Sequence, residues 1–223
     1  MLEEIEKLVA KARRNRRANV FIFVLRIFLG FAFIPAGLKK LLGQPFTDPA
    51  NTGTFHEFLH AFHDTGLFYR SVGFIQLVAA ILLMTQYYST IGAMIMMPIT
   101  AVIFVFCWST MVVPTATVVT FMLLGVSLLL LWDLQIWKHV LQSANSQTTT
   151  AQVTPLVSDL KLWSLCGWAI LLLYFGHTAI TGEVYRPKGA DWSNPSFILL
   201  QIITLMPVLT LFIDSRRSRK KAP

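Results

Sequence analysis

Six runs of apolar residues dominate this chain: Val20–Leu38, Ser71–Met84 (Tyr88 at its outer limit), Ile91–Val113, Ala116–Trp132, Leu162–Ile180 and Ser196–Ile213. A helix crosses the bilayer core with about 20 apolar residues, and with fewer where flanking side chains snorkel. A soluble domain would have to cover six such segments with polar groups, and the chain does not carry enough of them. Hydrophobic residues make up 55% of its 223 positions and charged ones 13%, where soluble domains hold about 25% charged residues. The same apolar excess excludes disorder. Two cysteines, Cys107 and Cys166, exclude a disulfide-stapled secreted module. The sequence therefore describes an all-α membrane protein with about six spans.

Proline and glycine punctuate these spans. Pro35, Pro98 and Pro207 fall inside them, where neighbouring helices can satisfy the carbonyls that proline frees. Gly66, Pro114 and Gly182 fall near ends. The polar stretch Ser143–Pro155 parts four spans from two. The expected organisation is a basic amphipathic segment over 1–19, a four-helix transmembrane bundle over 20–142 with an interfacial helix at 55–65, a polar loop over 143–160, a C-terminal helical pair over 161–213 and a basic tail over 214–223. No internal repeat is evident. The first span follows a basic region, as a signal peptide does, but Pro35-Ala36-Gly37 runs into Leu38, Lys39 and Lys40 without a small-x-small cleavage pattern. It reads as an uncleaved anchor.

The chain carries 19 Lys and Arg against 11 Asp and Glu. Nucleic acid is not the partner this implies, because the basic residues cluster beside the spans. Lys7, Lys11, Arg13, Arg14, Arg16, Arg17, Lys138, Lys161, Arg216, Arg217, Arg219, Lys220 and Lys221 share one side if the spans alternate. Lys39, Lys40, Arg70, Arg186 and Lys188 share the other. Thirteen against five places both termini in the cytoplasm. Leu2, Ile5, Leu8, Val9 and Ala12 recur at helical spacing, as expected of a helix lying on the inner surface with its basic residues toward headgroups.

An ionisable residue inside a span is costly unless paired or hydrated, which singles out Arg26. It sits about 9 Å from the inner end of its span, so three readings stand. Its side chain snorkels to the headgroups, pairs with Asp133 at the inner end of the fourth span, or contacts a ligand. Gln76 and Gln201 are suited to hydrogen bonds between helices. His177 lies near the outer end of the fifth span, where a satisfied hydrogen bond is the simplest role. Trp132, Trp137, Trp163, Trp192, Tyr69, Tyr87 and Tyr88 read as an interfacial belt. The two cysteines are single thiols in separate spans, so a thiol relay lacks its reactive pair. No phosphate loop, dinucleotide fingerprint or haem attachment motif is present.

The first outer loop contains His56-Glu57-Phe58-Leu59-His60, followed by His63 and Asp64. Two histidines four apart on a helix can bind zinc, with the glutamate activating water. With Phe55 at 0°, the three histidines fall at about 100°, 140° and 80° on a helical wheel, on one face. Capping explains the same residues without metal: Thr54 as N-cap, Glu57 reaching back and Gly66 as the stop. Phe55, Phe58, Leu59 and Phe62 then form the apolar face of an interfacial helix.

The first span and its exit, Arg26 through Gly30, Phe33 and Ala36-Gly37 to Lys40-Leu41 and Gly43, resemble the opening of the DoxX-like family of small bacterial membrane proteins. So does the stretch from Thr65-Gly66 through Arg70, Gly73 and Gln76 to Ile91-Gly92-Ala93 and Pro98-Ile99. The likeness covers roughly residues 20–135. Many members have a glutamate where Gln76 stands, so this chain lacks an acid there. The resemblance implies a four-helix bundle. It also implies a link to redox systems, since some relatives are subunits of a thiosulfate:quinone oxidoreductase and others associate with thiol-redox partners. The expected function is an accessory or ligand-positioning subunit of a quinone- or thiol-linked membrane redox system, not a stand-alone enzyme. A quinone-like ligand would meet Arg26, Lys39, Lys40, Gln76 and Asp133, and membrane or soluble redox proteins would be the partners. A transporter or assembly factor is the alternative, and a zinc enzyme using His56, His60 and His63 a third reading, with zinc disfavoured as a cofactor.

Overall fold

The computed structural model describes residues 2–134, 136, 158–182, 184 and 194–221. Trp137, Lys138, Ser143–Pro155, Arg186, Lys188 and Trp192 lie outside the described residues. Among the described residues all regular structure is helical: α1 (Leu2–Arg13), α2 (Arg16–Leu41), α3 (Thr54–Asp64), α4 (Leu67–Met84), α5 (Ser89–Ser109), α6 (Val113–Trp132), α7 (Leu160–Thr181) and α8 (Pro195–Lys221). Six of these, α2 and α4 to α8, are long and apolar enough to cross a membrane. The protein is thus a multi-pass membrane protein whose surroundings are a lipid bilayer.

Helices α2, α4, α5 and α6 close a ring, each packing on its sequence neighbour and α6 returning to α2. The centre is the antiparallel α2–α4 pair: half of the apolar stretch of α2 and 44% of that of α4 are buried, against 28% for α5 and α6. Small residues allow this approach. A Cβ on Gly73 would stand 2.6 Å from the Gly37 carbonyl oxygen and 2.7 Å from the Leu41 nitrogen. A turn and more away on both helices, a Cβ on Gly30 would strike the Met84 side chain. Such small-residue contacts are the usual means of close helix association in lipid.

The C-terminal pair packs onto this ring. Gly167 of α7 lies against the Met84 backbone, Trp163 against Phe23 at 5.7 Å between ring centroids, and Tyr174 edge-on to Phe31 at 5.4 Å. Helix α8 packs chiefly on α7, and only 17% of its apolar stretch is buried.

Local signals differ from expectation in three places. The first spanning helix begins at Arg16 with Asn15 as its N-cap, the side chain accepting from the Arg17 amide at 2.9 Å, so residues 16–19 belong to the span's helix. Helix α3 begins without a capping box: Gly53, at φ +100, precedes Thr54, and no side chain caps the first turn. The glycine replaces Thr54 in that role because the chain enters from a backbone conformation that residues with a Cβ rarely adopt. Gly66, at φ +60, does part α3 from α4, and α4 starts directly after it at Leu67.

Candidate functional site

The most concentrated buried polarity lies where α1, α2, α4, α5 and α6 meet at one end of the bundle. Asp133 follows the last residue of α6 and is 3% exposed. A helix C-terminus carries partial negative charge and unpaired carbonyls, a poor place for a carboxylate alone. Two guanidiniums compensate. Arg26 Nη2 donates to Asp133 Oδ2 at 2.8 Å, and Arg13 Nη2 donates to Oδ1 at 2.8 Å. Arg13 also donates to the Trp132 carbonyl from Nη2 at 2.7 Å and from Nε at 3.2 Å, so it caps α6 as well as neutralising its acid. Thr90 Oγ1, from the start of α5, donates to Asp133 Oδ2 at 3.0 Å. Both arginines are 3% exposed.

Gln86 completes the cluster from the α4–α5 turn. Its Oε1 accepts a long hydrogen bond from Arg26 Nη1 at 3.5 Å, and its Nε2 donates to the Phe23 carbonyl at 3.4 Å. The residue sits at φ +67, a conformation costing a non-glycine residue about 1 kcal/mol or more. The side-chain bridge gives a reason for glutamine here. Asn19 Nδ2 donates to the Arg13 carbonyl at 2.6 Å, fixing the α1–α2 corner.

Of the three readings of Arg26, the structure shows the pair with Asp133; the side chain does not snorkel to the headgroups. Arg13 was expected to face headgroups with the other basic residues of the N-terminal segment; instead it is buried, and Arg16 turns inward too, donating to Asp214 of α8 at 2.9 Å. The cause is the acids at this membrane end, which satisfy these two guanidiniums inside the protein. Lys7, Lys11, Arg14 and Arg17 remain exposed, as does Leu8. Asp214 also accepts from the Asp159 amide, and Asp159 caps α7 through the Leu162 amide and pairs with Arg217 at 3.2 Å. Burial pulls the Arg13 guanidinium below its ordinary range, with Asp133 partly restoring it. An arginine remains protonated at physiological pH all the same. The cluster is a fixed arrangement of charge, not a chain of exchangeable protons.

The remaining candidate residues do not gather with Arg26. Lys40 lies fourteen residues along α2, about 21 Å of helix rise away. Its Nζ donates to the Ala36 carbonyl at 3.3 Å and stands 4.5 Å from the Phe46 ring centroid. Lys39 is half-buried at the same end. Gln76 lies between these levels on α4, 1% exposed, and its Oε1 has no hydrogen-bond donor. His177 Nε2 pairs with Ser196 Oγ at 3.0 Å, joining α7 to α8.

The three histidines of α3 share a face, as the wheel indicates, but each takes its own partner from the preceding loop. His56 Nδ1 meets Thr47 Oγ1 at 2.6 Å, His60 Nε2 the Asn51 carbonyl at 3.3 Å, and His63 Nε2 the Gly43 carbonyl at 3.1 Å. Among the described residues no three His, Cys, Asp or Glu side chains converge as metal ligands do. The opposite face of α3 packs as expected, with Phe55 and Phe58 against Phe106 at 5.2 and 4.5 Å.

Sequence reasoning missed Arg13, Gln86 and Thr90. The available signal was Asp133 itself, an acid at a helix C-terminus beside an apolar run, which asks for more than one cation. Comparison with curated proteins and with solved structures returns no match. A family model, DoxX, does match, from Phe21 in α2 to Trp108 at the end of α5, one helix short of the extent read from the sequence. Arg26, Gln86 and Thr90 fall inside the matched region, Arg13 and Asp133 outside it. The match takes in most of α2, its close crossing with α4 and nearly all of α5, so residues 21–108 of this membrane protein are similar to the DoxX family model.

Proposed function

We propose that this protein is a non-catalytic accessory subunit of a quinone- or thiol-linked redox system in the plasma membrane, with both termini on the cytoplasmic side. The observation that carries the reading is the closure of the Arg13–Asp133–Arg26 cluster. An intramembrane arginine is a functional candidate by default, yet here both its charge and that of its acid are engaged with three helix ends. That arrangement suits a scaffold that holds a partner in a fixed place better than a passage for solutes. Gln76 Oε1 is one of several buried polar atoms in the bundle without a hydrogen-bond partner, with Arg26 Nε, Asn19 Oδ1 and Trp132 Nε1 among the others, and it is the contact assigned here to a quinone-like ligand. The redox assignment itself is supported by the DoxX likeness.

The test is electron flow to quinone in native membranes. Membranes lacking the chain are expected to lose quinone reduction by a thiol- or sulfur-type donor and to regain it on re-expression. Unchanged quinone reduction, together with solute flux catalysed by the chain in liposomes, refutes the proposal and favours transport.

A further inference from the structure

The opposite end of the bundle holds a second feature, independent of the cluster and of the redox reading. Where α2 ends and α4 begins, an open groove of about 330 Å³ runs along the outside of the helices, lined by Leu41, Leu67, Arg70, Ser71, Phe74 and Ile75. Its walls are apolar and exposed: Leu67 is 80% and Phe74 57% accessible. Among them stands one cation. The Arg70 side chain makes no hydrogen bond or ion pair to any described residue, in contrast to Arg13, Arg16, Arg26 and Arg217. Its guanidinium is nonetheless seated. It lies over Gly43, where a Cβ would stand 2.9 Å from Nη2 and 3.1 Å from Nε, and Gly43 is itself at φ +68. The Ser71 hydroxyl already donates to the Leu67 carbonyl at 2.9 Å, which leaves Arg70 as the donor facing the groove.

A cation in the first turns of a helix faces the positive end of the helix dipole. The placement of Arg70 therefore has an unmet electrostatic demand, and an anion in the groove supplies it. The depth is right for a headgroup: Arg70 lies four residues into a spanning helix, beside the interfacial helix α3, with the apolar wall running on toward the membrane interior through Phe74 and Ile75. We propose that this groove is a binding site for an anionic phospholipid, its phosphate on the Arg70 guanidinium and an acyl chain along Leu41, Phe74 and Ile75.

The test uses the full-length chain, purified in mild detergent, with phosphatidylglycerol and phosphatidylcholine of matched acyl chains added in turn and bound lipid counted by native mass spectrometry. Preferential binding of phosphatidylglycerol is expected. Arg70→Gln is expected to weaken it about fivefold, the worth of one basic residue near an anionic headgroup, and Arg70→Lys to keep most of it. Gly176→Ala, a change on α7 with nothing within 4 Å of the added Cβ, serves as the control and is expected to leave it unaltered. Equal binding of the two lipids by the unaltered chain, or no change in Arg70→Gln, overturns the proposal. So does competition by inorganic phosphate as strong as that by the lipid, which would mean an anion site without a lipid, or an Arg70-dependent retention of quinone in place of phospholipid.

Discussion

Replacing Asp133 with asparagine removes the one negative charge from a site that buries two guanidiniums. The cluster holds two positive charges against one negative, all about 96–97% buried, so Asp133→Asn leaves both arginines uncompensated at the end of α6. Removing one partner of a buried pair costs about 3–5 kcal/mol, and this variant belongs at the upper end because two cations lose the same partner. Arg26→Met strands Asp133 less severely, since Arg13 still donates to it, and a loss near the lower end is expected. Arg13→Met should cost least, about 1–3 kcal/mol, the penalty of unsatisfied buried carbonyls: it leaves a one-to-one pair, but the Trp132 carbonyl loses its cap and α1 its anchor. A triple variant, Arg13→Met with Arg26→Met and Asp133→Leu, removes every charge at once. Isosteric replacement of a whole buried ion cluster is often neutral or stabilising, so the triple variant should be more stable than Asp133→Asn alone. Unfolding in mixed micelles titrated with a denaturing detergent, followed by far-UV circular dichroism, measures all four. The reasoning is refuted if Asp133→Asn is no less stable than Arg13→Met, or if the triple variant is as unstable as Asp133→Asn.

Three further outcomes follow from the packing and from the buried polar groups. Gly73→Ala places a Cβ 2.6 Å from the Gly37 carbonyl and should destabilise the bundle strongly, by about 1–3 kcal/mol as overpacking does, while Gly176→Ala, inside α7 with nothing within 4 Å, should hold or raise its melting temperature. Gln76→Leu removes a buried Oε1 that no group satisfies, so the melting temperature should hold or rise while the amount of co-purified quinone falls; a stability loss above about 1 kcal/mol would show that Gln76 is structural. His56→Ala with His60→Ala should speed hydrogen exchange in residues 44–53, whose contacts to Thr47 and Asn51 they remove, and should leave the metal content of the purified protein unchanged.

The spans were legible because membrane insertion is a local matter of length and apolarity, and all six runs reappear as helices. Their ends were less so: α2 extends back to Arg16 because Asn15 supplies a cap, and the N-cap of α3 is Gly53 instead of Thr54. Half of the buried cluster was also legible. Arg26 in a span and Asp133 at the end of another are natural partners, since unpaired charge is costly at that depth. Arg13 was not, because a basic segment beside a membrane is equally suited to headgroups, and only the fold brings it to a residue 120 positions away. Gln86 was hidden for the same reason, and its left-handed backbone gives no signal in a residue other than glycine. The histidine motif misleads in the opposite sense. Its spacing does put three imidazoles on one face, but loop 43–53 lies over that face and takes each of them separately.

In the proposed function, the bundle that includes residues 21–108 and the C-terminal helical pair hold a redox partner in place. The most direct measurement is mild-detergent purification of the full chain from native membranes, with quantitative mass spectrometry of the proteins and quinones in the same peak. A redox protein at stoichiometric yield, accompanied by quinone that Gln76→Leu diminishes, is the expected result. A chain that elutes alone and without quinone, while native membranes retain full quinone-reducing activity in its absence, contradicts the claim.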